Sequence, residues 1–121
     1  MSDRILVIED NEQNHYLMRF LLEKHGFAVS VAETGPAGIE LALAERPRAI
    51  LLDIQLPEMS GYEIVSNMKA DPETQNIPVI MLTAFDDTSH ILKAYKNFVD
   101  DYMVKPCNFK LLIARALQFV A

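Results

Sequence analysis

The sequence has no tryptophan, one cysteine and only four glycines. With Cys107 as the single thiol, no disulfide can close within the chain, and that usage fits a reducing compartment. Nowhere is there a run of the roughly 18–20 apolar residues that a membrane-spanning helix needs. The opening residues, MSDRILVIEDNEQN, soon turn acidic and show no leader-cleavage pattern. These absences predict a soluble, cytoplasmic protein with no membrane partner. Basic residues are also scarce: 11 against 17 acids, a formal net charge of −6, and no basic block. That argues against nucleic-acid binding by this chain. A cation or a basic partner patch suits the balance better. Fixed-period repeats and low-complexity stretches are missing as well.

What is present is a core. Half of the 121 residues are apolar, enough for one compact domain over 1–121. RILVIE (4–9) is a short apolar run ending in acids. NEQNHYLMRFLLEKHG has helical spacing, with Leu17, Phe20, Leu21 and Lys24 on neighbouring turns and Gly26 at the C-terminal cap position. FAVSVA (27–32) alternates like a strand. GPAGIELALAERP reads as a helix, with Pro36 in its first turn and Pro47 beyond its end. AILLDI is a second continuous apolar run, GYEIVSNMKAD a helix stopped before Pro72, and IPVIMLTA (77–84) a buried strand. DDTSHILKAYKN is a helix that Asp86 or Asp87 can cap, DYMVKP a short strand and NFKLLIARALQFV a closing helix. Five strand–helix units in strict alternation predict an α/β fold, a parallel sheet covered on both faces.

Ligands of open parallel sheets bind at the carboxyl ends of the strands. Those ends carry Glu9 and Asp10, then Asp53, then Thr83 and Ala84, then Lys105 and Pro106. Three carboxylates held together repel, at roughly 4 kcal/mol per pair for a 4 Å separation and an effective dielectric near 20. A hard divalent cation relieves this, and oxygen ligands with retained waters suit Mg²⁺, with Mn²⁺ as a substitute. Asp10 and Asp53 are the expected direct ligands, Glu9 acts through water, and the backbone carbonyl of Gln55 is a further candidate oxygen. A cation beside a carboxylate and an ammonium makes a phosphoryl-transfer site. Asp53 would be the nucleophile, with Lys105 neutralising charge, Thr83 donating a hydrogen bond and Ala84 leaving room.

The motifs VIEDNEQN, LLDIQLPEMSG, PVIMLTA and YMVKP, in this order and at these intervals, resemble a bacterial response-regulator receiver domain over essentially the whole chain. The resemblance implies a flavodoxin-like doubly wound (βα)5 fold with strand order 2-1-3-4-5. It implies that Asp53 accepts a phosphoryl group from the phosphohistidine of a histidine kinase or histidine phosphotransfer protein. Glu9 and Asp10 match the family's acidic metal pair, Thr83 and Lys105 its switch hydroxyl and phosphate-binding lysine, and Tyr102 its switch aromatic. The Lys105–Pro106 bond matches a peptide that is usually cis in the family. The face altered by phosphorylation would include Lys93, Lys96, Asn97 and Phe98, and would meet a downstream protein effector. The first helix would dock the upstream partner. The single-domain type is the nearest match, a monomer or weak phosphorylation-dependent dimer, catalysing only its own phosphorylation and slow dephosphorylation. Two features depart from the family. Phe98 and Val99 stand where a Gly-Ala pair is common, leaving Asn97 to take the left-handed cap. Phe85 is apolar where many relatives are polar, and is expected to shield the acyl phosphate from water.

Blander roles exist for each residue. Glu9 and Asp10 could cap the first helix. Lys105 could be a structural ion pair with Asp53, Thr83 a satisfied strand-end hydroxyl and Tyr102 an ordinary strand aromatic. Asp86–Asp87 and Asp100–Asp101 read as a cap and a turn, His15, His25 and His90 lack ligand partners, and Cys107 is a small apolar packer. Three other functions compete. An aspartyl-phosphate phosphohydrolase needs a second acid two residues after Asp53, where Gln55 stands. A flavodoxin-like carrier needs a Gly/Ser/Thr-rich phosphate cradle after the first strand, where EDNEQN is acidic. A degenerate receiver used only for protein contacts would have no need of the intact reactive positions.

Overall fold

The computed structural model describes residues 4–53, 61–83 and 101–104, together with Ala114 and Gln118. Five strands are described: β1 Arg4–Ile8, β2 Ala28–Ala32, β3 Ala49–Asp53, β4 Val79–Thr83 and β5 Asp101–Val104. Three helices lie between them: α1 Glu12–Lys24, α2 Gly35–Glu45 and α3 Gly61–Ala70. The strands form one parallel sheet in the order β2-β1-β3-β4-β5, as the alternating pattern and the resemblance led one to expect.

Both faces of the sheet are buried, which is why the central strands need no polar alternation. Successive residues of β1 point to opposite sides. Ile5 and Val7 join Leu51, Ile80, Leu82 and the Met18 and Leu22 side chains of α1. Leu6 and Ile8 join Ile50, Leu52, Val79 and Met81 beneath Ala42 of α2 and Ile64, Val65 and Met68 of α3. α1 therefore covers one face, and α2 and α3 cover the other. No helix among the described residues is long and apolar enough to cross a membrane.

The helix ends follow local chemistry. Asn11 caps α1, its side chain accepting from the Asn14 N–H at 3.0 Å. At the other end Gly26 adopts φ +93°, donating to Glu23 O at 3.0 Å while Phe27 N–H reaches Leu22 O at 3.1 Å. This paired closure needs a left-handed residue, and glycine adopts that conformation at least cost. Thr34 caps α2 by accepting from Ala37 N–H at 3.2 Å. α2 is closed by Arg46, left-handed at φ 47°, whose N–H still donates to Ala42 O at 3.0 Å. After α3, the Thr74 hydroxyl donates to Met68 O at 2.6 Å and Lys69 Nζ to the carbonyls of Gln75 and Ile77.

Three expectations shift. β1 stops at Ile8, although Glu9 N–H still reaches Ala32 O at 3.0 Å. β4 begins at Val79, since Pro78 has no N–H to give and Ile77 N–H is spent on Thr74 O at 3.1 Å. On α1 the face against the sheet is Met18, Leu22 and part-buried Leu21, while Leu17 and Phe20 are exposed. The apolar spacing fits either stripe, and the one bearing Met18 and Leu22 won. The expected helix DDTSHILKAYKN, with its Asp86 or Asp87 cap, His90 and the partner-face residues Lys93, Lys96, Asn97 and Phe98, lies outside the described residues. Of the closing helix, Ala114 and Gln118 are described, and both are helical.

Candidate functional site

From β1 the chain crosses to β2 on one side and later returns to β3 on the other, so the order reverses between β1 and β3. An open sheet leaves a crevice at the carboxyl ends beside such a reversal. The register sets what lines it. Ile8 pairs with Leu52, which brings Glu9 level with Asp53 across the reversal point. Asp53 pairs with Leu82, so Thr83 lies one step beyond it on the next strand.

Carboxylate oxygens of Glu9, Asp10 and Asp53 all lie within 4.8 Å of one another. Glu9 is 1% exposed and Asp53 4%, whereas Asp10 is open to solvent. At that separation and an effective dielectric near 20, each ionised pair repels by roughly 3–4 kcal/mol. The donor set consists of hard carboxylate oxygens with one side open to water. That suits Mg²⁺, which prefers few protein oxygens and keeps several waters.

The start of α1 supports the cluster. Asn11 N–H donates to Glu9 Oε2 at 3.3 Å, and Asn14 Nδ2 donates to Glu9 Oε1 at 3.4 Å. Neither acid is therefore needed to cap α1; Asn11 does that. Glu9 is an acceptor of both asparagines' N–H groups, and the positive end of the helix faces the acids. Sequence reasoning passed over Asn11 and Asn14. Their three-residue spacing at a helix start is the signal that could have found the cap, but it says nothing of the Asn14 side chain reaching Glu9.

Thr83 ends β4 and pairs with Val104 of β5, and Tyr102 pairs with Met81. Gln55, Ala84, Phe85, Lys105, Pro106 and Cys107 lie outside the described residues. The two described histidines have partners elsewhere. His25 Nδ1 lies 2.9 Å from Leu21 O, and His15 Nε2 lies 3.9 Å from Glu33.

A family model described as the response regulator receiver domain matches residues 5–117. The response regulator PleD of Caulobacter vibrioides is 36% identical over 115 residues, covering 95% of this chain and 25% of PleD. Protein PilH of Pseudomonas aeruginosa is 34% identical over 110 residues, 91% of each chain. The chain thus spans about a quarter of one relative and nearly all of the other. Among solved structures, the receiver domain of sensor histidine kinase PA1611 from Pseudomonas aeruginosa PAO1 superposes with a TM-score of 0.89 at 26% identity. That likeness covers 99% of this chain and 98% of that one. The PA1611 receiver carries a magnesium ion coordinated in its active-site cleft.

Proposed function

This chain belongs to the response regulator receiver domain family, and from that premise we propose that it is the phosphoryl-accepting switch of a two-component phosphorelay, with Asp53 as acceptor. The observation that carries the reading is the gathering of Glu9, Asp10 and Asp53 within 4.8 Å at the reversal point of the sheet. Mg²⁺, or Mn²⁺ in its place, would be held by Asp10, Asp53 and the Gln55 carbonyl, with Glu9 acting through water. It would supply positive charge for an incoming phosphoryl group.

An Asp53 carboxylate oxygen attacks phosphorus. The new O–P bond forms as the N–P bond of the donor phosphohistidine breaks, and the leaving imidazole nitrogen keeps the electron pair and takes up a proton. Lys105 and Thr83 bind the phosphoryl oxygens. The group adds roughly −1.5 to −2 charges and three acceptor oxygens, enough to draw a hydroxyl and an ammonium toward it. Tyr102 then moves inward, and the face bearing Lys93, Lys96, Asn97 and Phe98 changes shape for a downstream protein. Inverting such an equilibrium completely takes about 5.5 kcal/mol of differential binding, within reach of a few charge-assisted hydrogen bonds.

The upstream partner, a histidine kinase or phosphotransfer protein in the cytoplasm, docks on α1. Tyr16 and Phe20 support this, being 69% and 54% exposed on the side of α1 away from the sheet, with Leu17 beside them. The chain turns over no external substrate. It catalyses its own phosphorylation and its slow reversal.

Acetyl phosphate with Mg²⁺ is expected to add about 80 Da, the mass of one phosphoryl modification. The Asp53→Asn variant is expected to stay folded and unlabelled. Continued labelling of that variant would move the acceptor elsewhere, no labelling of the wild type would favour a degenerate receiver, and turnover of p-nitrophenyl phosphate would favour a phosphohydrolase.

A further inference from the structure

We infer that Asn14 is a positioning residue of the acidic site, its side-chain amide holding the Glu9 carboxylate in the orientation that admits a divalent cation. This rests on reading Glu9, Asp10 and Asp53 as a cation site.

Glu9 is almost wholly buried, and each of its two oxygens meets a donor from the first turn of α1. One donor is the Asn11 backbone N–H, which any residue at that position except proline would supply. The other is the Asn14 side chain, which only a few residue types could replace. At 3.3 Å and 3.4 Å both contacts are at the long end of hydrogen bonding. Both are donated by neutral amides, so they orient the carboxylate without setting a positive charge against it. Donors fixed on α1 hold the carboxylate beside Asp10 and Asp53 against their repulsion, so the site keeps its shape before a cation arrives.

The helix itself gives no reason for asparagine here. Asn14 is exposed, within the first turn, and asparagine is among the poorer helix formers. Its backbone N–H donates to Asn11 Oδ1 at 3.0 Å and would do so with an alanine side chain. The structural role of the position and its role toward Glu9 are therefore separable by substitution.

Asn14→Ala is expected to weaken Mg²⁺ binding about three- to tenfold, read by NMR titration of the amide signals around Glu9 and Asp53, while the metal-free melting temperature stays level or rises. Asn14→Gln, which keeps the donor on a longer stem, is expected to recover part of the affinity. An Asn14→Ala affinity within twofold of wild type, alongside loss of binding in Asp53→Asn, would overturn the inference and leave the cation site standing. A loss of affinity matched by a clear fall in melting temperature would also overturn it, since the cause would then be a loosened α1. If the wild-type chain binds no Mg²⁺, the cation site and the inference fall together.

Discussion

Glu9 and Asp10 are neighbours in sequence with opposite environments. Glu9 keeps a strand-like hydrogen bond to Ala32 and stays buried, while Asp10 has left the sheet and faces water. In the proposed cation site the exposed acid would be the one to exchange water for metal, and the buried one would supply field and orientation. The charge of Asp10 still bears on Asp53, whose oxygen lies within 4.8 Å. Removing it should have two opposite effects. Asp10→Asn is expected to weaken Mg²⁺ binding by at least tenfold, because a direct ligand charge is lost. The same change is expected to raise the metal-free melting temperature by a few degrees, because one member of a repelling trio is gone. The rise stays small since water screens an exposed carboxylate. Calorimetric melting with and without Mg²⁺ reads both effects, and a lowered metal-free melting temperature would mean the acids are not in conflict.

At the level of elements, the seating of α2 on β1 depends on Gly38. A Cβ built there would stand 2.5 Å from Ile8 Cδ1 and 2.8 Å from Ile8 Cγ1, and Ile8 is fully buried with little space to yield. Ile8 is also the residue before Glu9, so a displaced α2 would press on the strand that carries the acid. Alanine in place of glycine within a helix normally gains about 1 kcal/mol. Overpacking a filled core costs about 1–3 kcal/mol. Gly38→Ala is therefore expected to lower stability by up to about 2 kcal/mol in urea unfolding. In an Ile8→Val background, which deletes the nearest atom and leaves the Cγ1 contact, the added cost of Gly38→Ala should shrink, and the double-mutant cycle measures that coupling. Independent, additive effects would show that the close approach does not limit how α2 sits.

For the whole molecule, the sheet order decides where function can reside. The chain reverses between β1 and β3, and the residues at that point come from positions 9, 10 and 53, over forty residues apart in sequence. Mutual repulsion among three acids opposes their gathering. A cation that binds the folded state alone should offset it. At a Mg²⁺ concentration about one hundred times its dissociation constant, linkage adds about 2.7 kcal/mol to stability. For a domain of this size that corresponds to a rise in melting temperature on the order of 10 °C. Asp53→Asn is expected to lose most of that rise. An equal shift in wild type and variant would mean that Mg²⁺ acts elsewhere on the surface.

The order of the described strands and helices, the parallel class of the sheet and the identity of the three acids were all legible in the chain alone. Each depends on local signals: continuous apolar runs for strands buried on both faces, helical spacing closed by Gly26 or Pro47, and charge appearing where a strand ends. The tertiary structure decided the rest. It chose which stripe of α1 lies inward, placing Met18 and Leu22 against the sheet and leaving Leu17 and Phe20 to solvent. It chose the register that sets Glu9 level with Asp53. It brought Asn14 to Glu9, a contact no spacing rule announces. The reason is the range of the forces involved. Backbone preference and hydrophobic period act over a few neighbouring residues, whereas register and the choice of buried face are settled only when the whole sheet closes against its helices.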